Sequence, residues 1–186
     1  YELQRMLAQG GMAEVWLAVD LTLDRKVAVK WLKPTLASDP VVAERFRSDA
    51  VAAAGLNHPN IVAVHDVFEQ EGRQAVVMQL VEGKSLRQLL DTQKRLSPEL
   101  TCHIGSCVAV ALDHAHQSGF VPRDVKPGNL MITSEGRVLL TDFGIAKGLQ
   151  PSAENDLTND NIMMGTAKYL SPEQVRGKRL DGRADL

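Results

Sequence analysis

Several common chemistries find no support in this chain. Its only cysteines, Cys102 and Cys107, lie five apart in a helical pattern. That spacing suits neither a metal site nor a disulfide framework, and they read as buried thiols in a reducing compartment. The histidines offer no ligand set either: His114 and His116 are two apart near a helix end and point to different faces. No apolar run approaches the ~18–20 residues of a membrane-spanning helix. The chain opens YELQRML, without a start methionine or a secretory signal, and reads as an excerpt. No G-x-x-x-x-G-K-[ST] occurs, which sets aside the P-loop nucleotide hydrolases. A large excess of charge of one sign is also missing. Lysine and arginine number 21 against 23 acidic residues, a formal net charge of −2, so no global field draws the chain to nucleic acid or to an anionic membrane.

What remains is an ordinary folded chain of 186 residues, 44% hydrophobic and 24% charged. A chain of that size buries roughly 70% of the surface its unfolded form exposes. The first third alternates with period two. EVWLAVD and KVAVKWL read as a hairpin around LTLDR, with Asp24 as the turn residue. Val42, Phe46, Ala50 and Ala53 then recur about every four residues, which predicts one helix from Pro40 to Gly55. NIVAVHDVFE and QAVVMQLV follow as two strands around QEGR. Helix signals take over near Glu82. Ser85 and Gln88 form a capping-box pattern, and Ser97-Pro98 opens a long helix to about Gln117. LMIT and RVLLTDFG flank SEGR as a short hairpin, and a polar segment runs from Lys147 to Asn161. A hinge is expected around Gln79 to Gly83, with a cleft beside it as a place for a small molecule.

Three stretches carry chemistry. Gly10 and Gly11, between two predicted strands, either form a plain turn or let backbone N–H groups approach phosphate. Lys30 ends VAVK on an apolar strand, where it snorkels to solvent or meets an anion. VPRDVKPGNLM, residues 121–131, packs Arg123, Asp124, Lys126 and Asn129 beside Leu130 and Met131, and TDFG follows. Such a concentration of charge beside apolar residues is costly unless it is used.

The order glycine loop, VAVK, RDxKxxN, DFG, polar loop, GTAKYLSPE resembles the protein kinases, and within them the bacterial serine/threonine type, over essentially the whole chain. The resemblance implies an α+β, two-lobe protein-kinase-like fold. Residues 1–81 would form a β-rich N-lobe with one long helix, and residues 82–186 a mainly helical, incomplete C-lobe. It implies ATP-dependent phosphorylation of Ser/Thr hydroxyls on proteins, with Mg²⁺ as cofactor and Mn²⁺ as the alternative ion. Asp124 would act as the catalytic base, Lys126 would neutralise the moving phosphoryl group, Lys30 would hold the α- and β-phosphates, and Asn129 and Asp142 would hold the metal. Leu7, Ala8, Gly10, Gly11, Val15, Ala28, Met78, Gln79, Val81 and Met131 would contact the nucleotide. Thr158 is the candidate activation-loop phosphosite, near Asp160, and Thr166 belongs to the substrate loop. Protein substrates are the implied partners, together with a homodimer through the N-lobe in the intact protein. The implied setting is cytoplasmic, with membrane anchoring of the intact protein left open.

Three departures from the family pattern favour the alternative, a pseudokinase or nucleotide-binding scaffold. The glycine loop reads Ala8-x-Gly10-x-x-Ala13. The partner of Lys30 is by spacing Asp49 rather than a glutamate, with Glu44 on another face. Pro122 stands where the family has histidine, which removes a side-chain bond and a backbone donor. Asp185 matches the start of the large central helix of the second lobe, so the resemblance implies a usual domain of which these 186 residues hold roughly two thirds. On its own this piece is expected to be unstable or prone to aggregate.

Overall fold

The computed structural model describes residues 1–142 and 168–186. They form two compact units, Tyr1–Asn57 with Val62–Val81, and His58–Ile61 with Glu82–Leu186. The segment 147–161, Thr158 and Thr166 lie outside the described residues.

The first unit is built on an antiparallel sheet of five strands in the order β1-β2-β3-β5-β4. Its strands are β1 (Glu2–Gln9), β2 (Ala13–Asp20), β3 (Arg25–Leu32), β4 (Val64–Gln70) and β5 (Arg73–Gln79). β3 is central and β-branched, with Val27, Val29 and Leu32 fully buried. The hairpin between β2 and β3 closes where Asp20 accepts the N–H groups of Thr22 and Leu23, each at 3.2 Å. One face of the sheet holds Ala18, Val27, Val29, Ala75 and Val77 under Trp31 and Phe68. Those two rings meet edge to face at 5.5 Å, a favoured aromatic geometry.

Helix α1 (Pro34–Ala37) leads into α2 (Pro40–Ala54), which buries Val42, Phe46, Ala50 and Ala53. These are the four residues that set its predicted period. Asp39 caps α2 by accepting from Val41 N and Val42 N, and Pro40 occupies the first turn. Phe46 is 1% exposed, so its truncation to alanine costs about 3–5 kcal/mol.

The second unit carries a three-stranded sheet of β6 (Gly83–Ser85), β7 (Leu130–Thr133) and β8 (Val138–Leu140). At Gly83 a side chain would come within 2.3 Å of the Ile132 carbonyl oxygen, so this edge requires glycine. Helix α3 (Leu86–Gln93) begins at the predicted capping box, with both the Ser85 and the Gln88 bonds made. Helix α4 (Pro98–Gln117) turns Ile104, Ala111, Leu112 and Ala115 inward. Gly119, at φ +76°, ends it.

Some boundaries differ from the sequence reading. The strand expected from Asn60 starts at Val64, because Asn60 and Ile61 are drawn to β8 instead: Leu140 N donates to Asn60 O at 2.8 Å, and Asn60 Nδ2 to Val138 O at 2.8 Å. The strand expected through Val81 ends at Gln79, and the hairpin strand expected through DFG ends at Leu140. β1 lacks alternation because it is an edge strand with all eight residues exposed. The cysteines are not buried. Cys102 is exposed and Cys107 half-buried, since the inward stripe of α4 runs through Ile104, Ala111 and Ala115.

Candidate active site

The charged loop folds around one strained residue. Arg123 has φ +65°, in the left-handed region that costs a non-glycine residue about 1–2 kcal/mol. Two side chains hold it there. Asp185 Oδ1 accepts the Arg123 N–H at 2.7 Å, and Gln174 Nε2 donates to the Arg123 carbonyl at 2.9 Å. Asp185 has no exposed side-chain surface, and its other oxygen meets His116 Nε2 at 2.9 Å. Burial pushes the Asp185 carboxyl above its ordinary pKa, against the lowering pull of its bonds from His116 and Arg123. Pro122 is buried and its peptide bond is trans. It cannot supply an N–H to Asp185, whose two oxygens are instead taken by Arg123 and His116.

Beyond Arg123 the loop gathers its charged and amide groups. Asp124 Oδ2 lies 2.8 Å from Lys126 Nζ, and the Asp124 side chain is only 8% exposed. A turn of 3-10 helix, Pro127–Asn129, returns the chain so that Asn129, itself buried, faces Asp124. Asn129 Nδ2 donates to the Asp124 carbonyl and to Asp124 Oδ2, both at 2.9 Å, and to the Asp142 carbonyl at 3.3 Å. Thr141 N and Oγ1 bond back to the Asn129 carbonyl at 2.8 and 3.1 Å. Asp124, Lys126, Asn129 and Asp142 thus form one cluster. Asp142 also carries positive φ, +35°. With the amide nitrogen of Asn129 committed, its oxygen remains an acceptor, and an amide oxygen and a carboxylate such as that of Asp142 are the hard donor types that suit Mg²⁺.

In the first unit, Lys30 is 8% exposed on β3, in register with Val15 on β2 and Val76 on β5. Ala28 is buried two residues before it, opposite Met78. Gln79 N donates to the Ala63 carbonyl at 2.8 Å, and Val81 follows half-buried. Gly10 N closes the loop between β1 and β2 on Ala13 O at 2.9 Å, next to Gly11. Leu7 and Ala8 are exposed, and Ala8 pairs with Val15 inside β1 at ordinary negative φ, so its methyl group strains no turn. Asp49 is half-buried on α2, whereas Glu44 is 71% exposed and sits 3.9 Å from Arg47. Met131 lies half-buried on β7, opposite Leu139.

Sequence reasoning missed three residues of this site: His116, Gln174 and Asp185 all brace the loop from elsewhere in the chain. Asp185 had only a positional match, and no local pattern marks Gln174 beyond the Ser171 capping box it completes. The His58 and His114 rings, stacked at 5.2 Å, were also invisible because 56 positions separate them.

The protein kinase domain family matches this sequence over residues 1–186. The chain belongs to the protein kinase family. Among curated relatives, a probable serine/threonine-protein kinase of Streptomyces coelicolor, SCO3848, is 45% identical over 190 residues, covering the whole chain and 28% of that protein. The serine/threonine-protein kinase PknA of Mycobacterium tuberculosis is 46% identical over 191 residues, covering 44% of its length. The chain thus spans less than half the length of either of these curated relatives. The crystal structure of the M. tuberculosis PknI kinase domain superposes with a TM-score of 0.79 at 36% identity, covering 98% of this chain and 66% of that one. The chain therefore has the α+β protein-kinase fold, and the relatives named above are bacterial serine/threonine-protein kinases. Among the described residues no helix is long and apolar enough to cross a membrane.

Proposed function

We propose that this chain carries the catalytic centre of an enzyme that transfers the γ-phosphoryl group of ATP to Ser/Thr hydroxyls of proteins. The observation that carries the proposal is the cluster in which Lys126 and Asn129 both hold Asp124 Oδ2. A carboxylate fixed by a cation and an amide is oriented to take the proton of an incoming hydroxyl. As the hydroxyl oxygen bonds to the γ-phosphorus, the bond to the bridging oxygen breaks, ADP leaves and the proton passes to Asp124. Lys126 then lies where charge on the transferring group is neutralised. Bound Mg²⁺, held by Asn129 and Asp142, would neutralise phosphate charge; nothing distinguishes it from Mn²⁺ in this donor set.

We assign residues 1–81 to the N-lobe and 82–186 to the C-lobe. Lys30 takes the α- and β-phosphates, with Asp49 as its ion-pair partner. Leu7, Ala8, Gly10, Gly11, Val15, Ala28, Met78, Gln79, Val81 and Met131 take the remainder of the nucleotide. Thr158 is assigned as the phosphosite of the activation loop and Thr166 to the substrate loop. For the intact protein we propose a cytoplasmic kinase domain and a homodimer through the N-lobe. Transfer of labelled γ-phosphate by the full-length protein tests the assignment, with Asp124→Asn as the control. Sedimentation of the same protein with and without substitutions in residues 1–81 tests the dimer.

A further inference from the structure

We infer that Gln174 is a positioning residue for phosphotransfer, whose amide ties the short helix α5 (Pro172–Val175) to the strained Arg123 peptide and so fixes the stance of Asp124. The inference rests on the proposed role of Asp124. Both ends of the Gln174 amide are committed. Its Oε1 accepts from Ser171 N at 2.8 Å, completing a capping box in which Ser171 Oγ accepts from Gln174 N at 3.3 Å. Its Nε2 donates to the Arg123 carbonyl at 2.9 Å. These partners also settle which end of the amide is nitrogen, because a backbone N–H needs an acceptor and a carbonyl needs a donor.

The Arg123 peptide is thereby gripped on both sides. Its N–H goes to Asp185 Oδ1 and its carbonyl to Gln174, while φ stays at +65°. A conformation that costs an L-residue free energy persists only when its surroundings over-determine it. Asp124 is the next residue, so relaxation of Arg123 rotates the carboxylate away from Lys126 and Asn129. Among the common side chains, only glutamine at this reach both accepts from Ser171 N and donates to a carbonyl. Glutamate keeps the cap and loses the donor.

That difference gives the test, made on the full-length protein. Gln174→Glu retains the Ser-x-x-Glu cap but sets a carboxylate against the Arg123 carbonyl. At about pH 7.5 we expect kcat to fall about tenfold and KM for ATP to stay within about twofold. Amide exchange at Arg123, the first N–H after Pro122, rises at least about tenfold. The facing Arg123 carbonyl disfavours the charged form of the introduced carboxyl, which begins to protonate and donate as pH falls toward about 5.5, so the kcat ratio to the parent rises as pH falls. The charged groups around it, His116, Asp185, Asp124, Lys126 and Glu173, are present in both proteins, and Gln174→Met reports any pH dependence that they contribute to the ratio. Gln174→Met, which removes both amide groups, shows the same loss without the recovery, and serves if the carboxylate disturbs folding. Unchanged exchange at Arg123, or an unchanged kcat in an active parent, overturns the inference. A parent that transfers no phosphate refutes the role of Asp124 instead, and the exchange measurement then decides the clamp alone.

Discussion

Asn129 donates one amide nitrogen to both the carbonyl and the carboxylate of Asp124, at 2.9 Å each. Asn129, five residues away, therefore ties the backbone of Asp124 to its side chain, beside the Lys126 contact to the same carboxylate. Asn129→Ala removes that donor from a site where Asp124 is 8% exposed, so the cost is about 1–3 kcal/mol of stability with a larger loss of phosphotransfer. Thermal unfolding and kcat, measured on the same preparation, check both. A variant with parental unfolding and parental kcat contradicts the brace.

Asp49 and Glu44 make a second comparison. Glu44 is 71% exposed and pairs with Arg47 across one helical turn, an interaction worth about 0–1 kcal/mol. Asp49 is half-buried on the same helix. If Asp49 orients Lys30, Asp49→Ala lowers kcat/KM for ATP about tenfold or more, and Glu44→Ala leaves it within about twofold. Equal effects of the two substitutions would rule Asp49 out as the partner.

The alanine in the glycine loop is expected to be harmless. Ala8 is an extended residue of β1 paired with Val15, and its φ is not positive. Glycine there gains no conformational access that the fold uses, and loses a few tenths to about 1 kcal/mol to chain entropy. Ala8→Gly is therefore predicted to leave KM for ATP within about twofold. A large fall in KM would show that the methyl group obstructs the nucleotide.

Acid is expected to weaken the fold through His58. Burial, then the charge of nearby His114, holds its imidazole below the ordinary value of 6.5. The unfolded chain binds a proton at that value while the folded chain resists it. Stability is therefore constant above about pH 6.5 and falls as pH drops toward the folded pKa. His65, also shifted down, acts in the same direction. The midpoint of thermal unfolding, followed between about pH 7.5 and 5.5, falls more steeply in the parent than in His58→Asn. Parallel curves would exclude His58 as a contributor.

The charged cluster was legible in the sequence because it is local: Asp124, Lys126 and Asn129 lie within six positions and turn toward one another through Pro127–Asn129. α2 was equally plain, since Val42, Phe46, Ala50 and Ala53 both set its period and fill its buried face. What escaped was long-range. The grip of Asp185 and Gln174 on Arg123 spans 62 and 51 positions and leaves no periodic trace. The bounds of β1 escaped, though a strand before Gly10 was expected, because an edge strand exposed along its whole length need not alternate. The expected burial of Cys102 failed because a thiol on a helix is placed by the stripe it belongs to, not by its residue type.

The Asp124 assignment is tested most directly by transfer of labelled γ-phosphate from Mg-ATP to protein Ser/Thr, comparing the full-length protein with Asp124→Asn. The account predicts transfer by the parent and a loss of about 10²–10⁴-fold in the variant, with nucleotide binding retained in both. Nucleotide binding by both proteins with no transfer by the parent above the Asp124→Asn level would contradict it, and would mark the chain as a nucleotide-binding scaffold.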